Sequence, residues 1–353
     1  MAVATRALAF SLINLFVPLY LYMELGLTLK QIAYFYIVYS VAFALITPFA
    51  AKLSARIGLK HAILLSCPLY ITFYLLLYSL KVLAISYLFV PIFFGVASAL
   101  FWISFHVEFA RVSETGKRGS ETGKWIGYSS LAVLCGPLVG GILIDTAGFS
   151  VVFIIASILL IASATFLFFT KERHEPAEIS FRHVFSRKNM KNSIAFIGYG
   201  VHTMAGGVLW PLFIFFILNT YTSLGFLGSL AGAGTAFVTF IVGKMSDRYN
   251  KRHFLKIGSS LYSMSWFVRH FVETVGQVFG VTMFASMVFT MVEVPSHALV
   301  YEEFQENLME KLVFREMALC VGRILVLLVF LLTGEFLLSF MLSGVGAFAF
   351  WLF

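Results

Sequence analysis

Long apolar runs separated by short polar breaks repeat along this chain from end to end. Taken from break to break, they predict helices over 7–24, 30–52, 60–80, 83–107, 125–147, 149–170, 193–218, 222–244, 254–271, 276–297, 314–334 and 335–352. Each is about 20 residues, the length a helix needs to cross a hydrocarbon core about 30 Å thick. The runs are apolar throughout rather than alternating over about 10 residues, which argues against a transmembrane barrel. Seven of the eight prolines (Pro18, Pro48, Pro68, Pro91, Pro137, Pro211, Pro295) fall inside them, a placement that helices in lipid tolerate.

Composition closes off a soluble alternative. Of 353 residues, 60% are hydrophobic and only 12% charged, against roughly 25% charged in ordinary soluble domains. With 40 Phe and a mean hydropathy of +0.92, too little polar surface remains to coat a water-soluble fold. The net charge of +8 belongs to loops, so it reads as insertion physics and not as a nucleic-acid surface. With alternate connections taken as cytoplasmic, 21 of the 25 Lys and Arg fall on one side, leaving only Lys30, Lys81, Arg269 and Arg323 outside the set. Both termini are then expected in the cytoplasm. The first run starts about six residues in and lacks a small-residue cleavage pattern, so it reads as a span and not a signal peptide. Cys67, Cys135 and Cys320 have no paired spacing and read as packing residues.

The one long polar stretch, Lys171 to Asn192, divides the chain into near-equal parts: a bundle over 1–170, a cytoplasmic linker over 171–192 and a bundle over 193–353. The two parts repeat. Pro18-Leu19-Tyr20-Leu21-Tyr22 returns as Pro211-Leu212-Phe213-Ile214-Phe215, Ala51-Lys52-Leu53-Ser54-Ala55-Arg56 as Gly243-Lys244-Met245-Ser246-Asp247-Arg248, and His106 as His297. Six helices per copy leave both copies in the same orientation, related by an axis along the membrane normal. The expected fold is an all-α membrane protein with twelve transmembrane helices in two six-helix bundles related by pseudo-two-fold symmetry.

The segment Gly243-Lys244-Met245-Ser246-Asp247-Arg248-Tyr249-Asn250-Lys251-Arg252 matches the signature loop of the major facilitator superfamily, which the chain resembles over its whole length. The first-half copy keeps Arg56, Gly58 and Lys60 but has Ala51 and Ala55 where the family has Gly and Asp. Gly136-Pro137-Leu138-Val139-Gly140-Gly141 is similar to a pattern frequent in the family's proton-coupled exporters. Those exporters carry an Arg four residues before a Gly in the fourth helix, and here Pro91 stands there ahead of Gly95. The resemblance implies a cytoplasmic gate at Gly243, Asp247, Arg248 and Arg252, with Arg56 in the other half. Independently of it, Asp247 falls just past a helix end, where a carboxylate accepts from the free N–H groups of a neighbouring helix start, here the fifth helix near Lys124. The loop lysines read as solvated charges.

Ionisable groups inside apolar runs cost about 2.5–3.5 kcal/mol on insertion scales and need a partner or a wet cavity. His202 and Arg323 each lie roughly 14 Å into their helices, near the midplane. The resemblance implies that helices 1, 4, 7 and 10 line the substrate cavity, which points to Asn14, Tyr20, Trp102, His106, His202, Trp210 and Glu293 beside Arg323. Glu293 and His297 share one helix face. Each has a plainer reading: His202 as a packed, hydrogen-bonded residue, Arg323 paired with Glu293 or a carbonyl, Trp102 and Trp210 facing lipid. Glu24, Glu108, Asp145, Arg269, Glu273 and Glu335 sit at helix ends, where snorkelling is the default. Gly136, Gly140 and Gly141, with Gly225, Gly228, Gly232 and Gly234, read as close helix packing.

No phosphate-cradling loop, metal cluster, nucleophile elbow or paired carboxylate spacing is visible, so neither an enzyme nor a cofactor or metal is expected. The expected function is secondary active transport of a small organic solute by alternating access, proton-coupled through Glu293 or His202 and leaning towards export. Nutrient or metabolite uptake is the competing reading, and a non-transporting receptor or scaffold the alternative of another class. With no tail of signalling size before the first run or after the last, reception is the lesser expectation. The partners expected are the lipid bilayer, the solute and protons, with no nucleic acid, for a monomer in the plasma (bacterial inner) membrane.

Overall fold

A computed structural model describes residues 2–114, 117–167, 172–176, 190–248, 250–304 and 307–352. Among them the chain forms twelve helical rods and no strand. α1 combines Ala2–Ile13, Val17–Leu19 and a π-turn over Tyr20–Glu24; α2 is Leu29–Ile57, α3 Leu59–Ser79 and α4 Val90–Val112. α5 combines Arg118–Val133 with Gly136–Ala147, and α6 is Phe149–Leu167. α7 combines Met190–Met204, a π-turn over Ala205–Leu209 and Trp210–Leu218. α8 is Tyr221–Arg248, α9 Lys251–Arg269, α10 Val275–Glu303, α11 Leu308–Thr333, and α12 joins Phe336–Phe348 to Ala349–Leu352. Ten of these rods are long and apolar enough to cross a membrane, and Phe336–Leu352 is a shorter apolar helix. Lys251, Arg252, His253 and Lys256 dilute the apolar character of α9, the twelfth.

Local chemistry places the ends. Thr28 with Gln31 and Thr274 with Gln277 form capping boxes that start α2 and α10. Gly58 at φ 96° and Gly148 at φ 81° supply the left-handed residue that reverses the chain in a single step between α2 and α3 and between α5 and α6. α1 and α7 are broken at equivalent places, each just before the repeated proline, Pro18 or Pro211. A proline lacks the N–H that would bond the carbonyl four residues back, here that of Asn14 or Gly207.

Several helices outrun the hydropathy pattern. α10 continues to Glu303 instead of stopping at 297, α11 begins at Leu308 instead of 314, α5 at Arg118 instead of 125, and α4 spans 90–112 instead of 83–107. Polar residues mark where hydrocarbon ends and not where the hydrogen-bond ladder ends. Arg118, taken from the sequence as a loop charge, is therefore helical and buried, and Arg315, counted with the loop charges at the edge of the run 314–334, is buried as well. Arg6 is buried as well, its guanidinium 3.6 Å from the Phe101 ring centroid and bonded to Ser66.

The two repeats meet along two long seams, α5 against α8 and α2 against α11, which the repeat makes equivalent. Outward faces carry large apolar side chains such as Leu45, Phe49, Phe237 and Leu332, as a lipid solvent permits. At the α5/α8 seam the backbones touch: a Cβ on Gly123 would lie 2.8 Å from Gly243 Cα. Gly123→Leu is therefore expected to lower stability by about 1–3 kcal/mol through overpacking. In detergent its Tm should fall clearly below that of Gly276→Leu, where a Cβ meets nothing within 4 Å; equal values would refute the close-packing account.

The Gly136 to Gly141 segment starts the second piece of α5 and packs it against two neighbours. Gly136 lies on Ser11 and Gly140 on Leu12 of α1, while Gly141 lies on Tyr221 and Pro137 on Gly225 of α8. Cys67 and Cys320 are buried, each sulfur beside a guanidinium (Arg6 or Arg323), but Cys135, at the break in α5, is exposed, contrary to its reading as a packing residue.

Candidate functional site

Between the repeats lies a cavity of about 180 Å³. From the first repeat come Asn14 and Val17 of α1, Tyr36 and Tyr39 of α2, Phe73 of α3 and Phe94 of α4; from the second come Thr203, Met204, Gly207 and Val208 of α7 and Arg323 of α11. The Asn14 side-chain carbonyl accepts from the Tyr74 hydroxyl at 2.9 Å. Arg323 is the one charge on this aromatic wall. Its guanidinium carbon stands 5.1 Å from the Phe43 ring centroid and 5.9 Å from that of Tyr39, and its Nη1 reaches only Cys320 Sγ at 3.9 Å. No salt bridge among the described residues includes Arg323, so the expected pairing with Glu293 is not made.

At one end of the cavity the repeats are tied by a buried polar cluster. Arg315 Nη1 donates to His106 Nε2 at 3.2 Å and to Glu316. A guanidinium only donates, so His106 Nε2 accepts and Nδ1 carries the proton towards the Tyr301 hydroxyl, 2.6 Å away. The rings of His106 and His297, counterparts in the repeat, stack at 5.6 Å across the seam. Arg118 Nη1 donates to the Tyr301 carbonyl at 2.5 Å. The same end carries Asp247, whose Oδ1 accepts from Gly119 N at 2.8 Å and Oδ2 from Ser120 N at 2.6 Å, in the first turn of α5. That is a carboxylate on the positive pole of a helix start.

The opposite end mirrors this. Asp145, ending α5, accepts from Thr222 N at 2.8 Å and from its hydroxyl at 2.6 Å, in the first turn of α8. The two antiparallel helices thus cap each other's starts, and Asp145 is engaged where snorkelling was expected. Tyr22 and Phe216, on α1 and α7, meet edge to face at 5.5 Å beside it.

Of the residues singled out from the sequence, Asn14 and Arg323 line the central cavity, whereas Trp210 lines a second one. Helix 10 does not wall the central cavity; α2, α3 and α11 do. Tyr20 is fully buried between Phe149 and Phe153, with its hydroxyl 3.4 Å from the Leu77 carbonyl. Trp102 stacks on His106 at 5.3 Å. His202 sits in an aromatic box of Tyr199, Tyr262 and Phe289, with Nδ1 3.4 Å from the Tyr262 hydroxyl and Nε2 buried without a hydrogen-bond partner. Glu293 is partly buried, lines neither cavity and forms no ion pair among the described residues. Around the loop, Gly243 packs on Gly123, Arg252 stands 3.5 Å from Glu303, and Lys251, read as solvated, pairs with Glu302 at 2.9 Å; Arg56 and Arg248 are exposed. Sequence reasoning missed Tyr301, Arg315 and Glu316. A usable signal was the helical spacing of Leu308, Leu312 and Leu319, which carries α11 upstream through the charges.

Among the described residues no group of three or more His, Cys, Asp or Glu is placed to hold a metal ion. Residues 1–192 match the family model of the Major Facilitator Superfamily. The Bacillus subtilis (strain 168) protein YqgE, described as uncharacterized, is 24% identical over 274 residues, 71% of this chain. The match spans 64% of that relative's length. Many solved structures share the fold, two of which serve as examples. The human organic anion transporter MFSD10 (TETRAN) superposes with a TM-score of 0.72 at 13% identity, covering 99% of this chain and 97% of its own. The Major Facilitator Superfamily transporter FucP in the outward conformation gives 0.69 at 11% identity, covering 99% and 96%.

Proposed function

This chain belongs to the Major Facilitator Superfamily, and from that premise we propose that it is a secondary active transporter carrying a small organic anion by alternating access through the cavity at Arg323. The observation that carries the reading is a guanidinium with no carboxylate partner, on an aromatic wall between the two repeats. Such a charge near the midplane is costly unless cargo or water completes it. The moving units are the bundles over 1–170 and 193–353, joined by the linker over 171–192. The end carrying Asp247 is the cytoplasmic one, where the Lys and Arg residues gather and both termini lie. Asp247 holds that end shut by capping α5.

Protons are the coupling ion in this reading. Glu293, a carboxylate inside a membrane-spanning run without an ion-pair partner, carries them, and His202 is set aside because aromatic rings enclose it. The aromatic walls and the Gly136-Pro137-x-x-Gly140-Gly141 segment favour export over uptake. That MFSD10 is described as an organic anion transporter agrees with the charge class of the cargo.

The test is transport by purified protein in proteoliposomes, with cargo found by thermal shift over a panel of organic anions at two pH values, since binding stabilises by mass action. Arg323→Gln is expected to reduce transport about 10- to 100-fold, the equivalent of the 1.5–3 kcal/mol of a hydrogen bond to a charged group. Arg323→Lys should retain part of the activity. Undiminished transport by Arg323→Gln would overturn the assignment.

A further inference from the structure

Arg269 ends α9 on the side opposite Asp247, where the sequence offers it as a charge reaching for the membrane surface. The structure buries it instead, at 5% exposure. Its guanidinium carbon lies 3.7 Å from the Trp266 ring centroid and 4.7 Å from that of Trp210. Nε and Nη1 are buried without a hydrogen-bond partner, and no salt bridge among the described residues includes the side chain. It stands on the wall of a separate cavity of about 260 Å³. The π-turn of α7 divides this cavity from the central one, with Gly206 on one and Gly207 on the other.

A guanidinium keeps its charge at any pH the protein meets, and a buried charge persists only where something compensates it. The indole faces do so in part. They act on the flat sides of the ion and leave Nε and Nη1, on different edges of it, without an acceptor, while the Tyr262 hydroxyl lies against the same guanidinium; a donor left over in this way calls for an anion's oxygen. The neighbouring polar groups are partly committed: the Trp210 indole donates to Thr282 Oγ1 at 3.3 Å, and Ser286 donates to the Thr282 carbonyl at 2.7 Å. The remaining wall is largely apolar, including Ile214, Leu224, Leu227 and Phe289. The volume falls below the 300–1,000 Å³ typical of drug-sized ligands, so the occupant is small and a two-chain lipid is too large.

We infer that this cavity is a second, anion-selective site that binds a small monocarboxylate with an apolar body, the carboxylate against the guanidinium of Arg269 and the body against Ile214, Leu224, Leu227 and Phe289. The inference concerns binding alone and does not require the Arg323 cavity to carry cargo.

The probe is cyclohexanecarboxylate, transparent where tryptophan absorbs, titrated against intrinsic fluorescence of the full chain in nanodiscs. Trp210 and Trp266 flank Arg269, whereas no Trp lines the Arg323 cavity, so the signal reports the proposed site. The expected result is a saturable change in the native protein, at least tenfold weaker binding of cyclohexanecarboxamide, at least tenfold weaker binding to Arg269→Gln, and a signal that survives in Arg323→Gln but largely disappears when Trp210→Phe and Trp266→Phe are combined. Any one of four results overturns the proposal: no saturable change, equal binding of the amide, an unaltered Arg269→Gln titration, or a signal lost with Arg323 instead of Arg269. Should Arg269→Gln fail to fold, the double variant Trp210→Phe with Trp266→Phe still decides, because a signal that persists in it places the ligand elsewhere.

Discussion

Arg315→Met is expected to destabilise the protein by about 3–5 kcal/mol, because it leaves Glu316 as a buried carboxylate with its cation removed. Glu316 is 2% exposed, bonded by Arg315 and 3.8 Å from His106 Nε2. His106 also loses the donor to its Nε2. The double variant Arg315→Met with Glu316→Gln removes both charges and is expected to recover most of the loss, since replacing an intact buried pair is far cheaper than breaking it. Thermal unfolding of the detergent-purified variants measures this. A single variant as stable as the native chain, or a double variant worse than the single, would show that the cluster is not held as an ion pair.

The two capping carboxylates are expected to act in opposite directions. In Asp247→Asn one oxygen can still accept, but the charge and the second acceptor are lost, where the native carboxylate takes Gly119 N and Ser120 N on separate oxygens. Hydrogen bonds to charged groups contribute about 1.5–3 kcal/mol, so opening at that end is favoured roughly 10- to 100-fold. Asp145→Asn should favour opening at the other end, by a smaller factor because its bonds to Thr222 are exposed. Labelling a cysteine at position 14 from each side of sealed vesicles reads both shifts. The background needs Cys135→Ser, since Cys135 is exposed. Shifts of the same sign in both variants would break the alternating account.

Much of the architecture was legible because lipid imposes a one-dimensional rule: run length gives the helices, and the repeat gives the axis that the stacked His106 and His297 make visible. Asp247 was legible too, since a carboxylate at a helix end has few uses, although α8 runs on to include it and its contact is the first turn of α5 at Gly119 and Ser120 instead of the region near Lys124. What stayed hidden was where helices continue into water. Arg118 looked like a loop charge because hydropathy reports the solvent around a residue and says nothing about its backbone bonds, and Arg315, at the edge of its run, was counted with it. Arg269 misled in the same way: position at a helix end does not reveal that Trp266 of its own helix and Trp210 of α7 will cover it. Pairwise geometry across the midplane, such as Arg323 against Glu293, depends on rotation of each helix about its axis, which a periodicity spread all round an apolar helix leaves unset.

The first repeat lacks the aspartate that its twin supplies, with Ala55 in the place of Asp247. The helix start that this copy would serve is that of α11, and Asn307 there makes no side-chain cap. Among the described residues the carboxylate cap of Asp247 on α5 thus has no counterpart from position 55. If the repeats part on that side, the seam of α2 with α11 is expected to yield before that of α5 with α8, so that the opening is lopsided despite the near-symmetric plan.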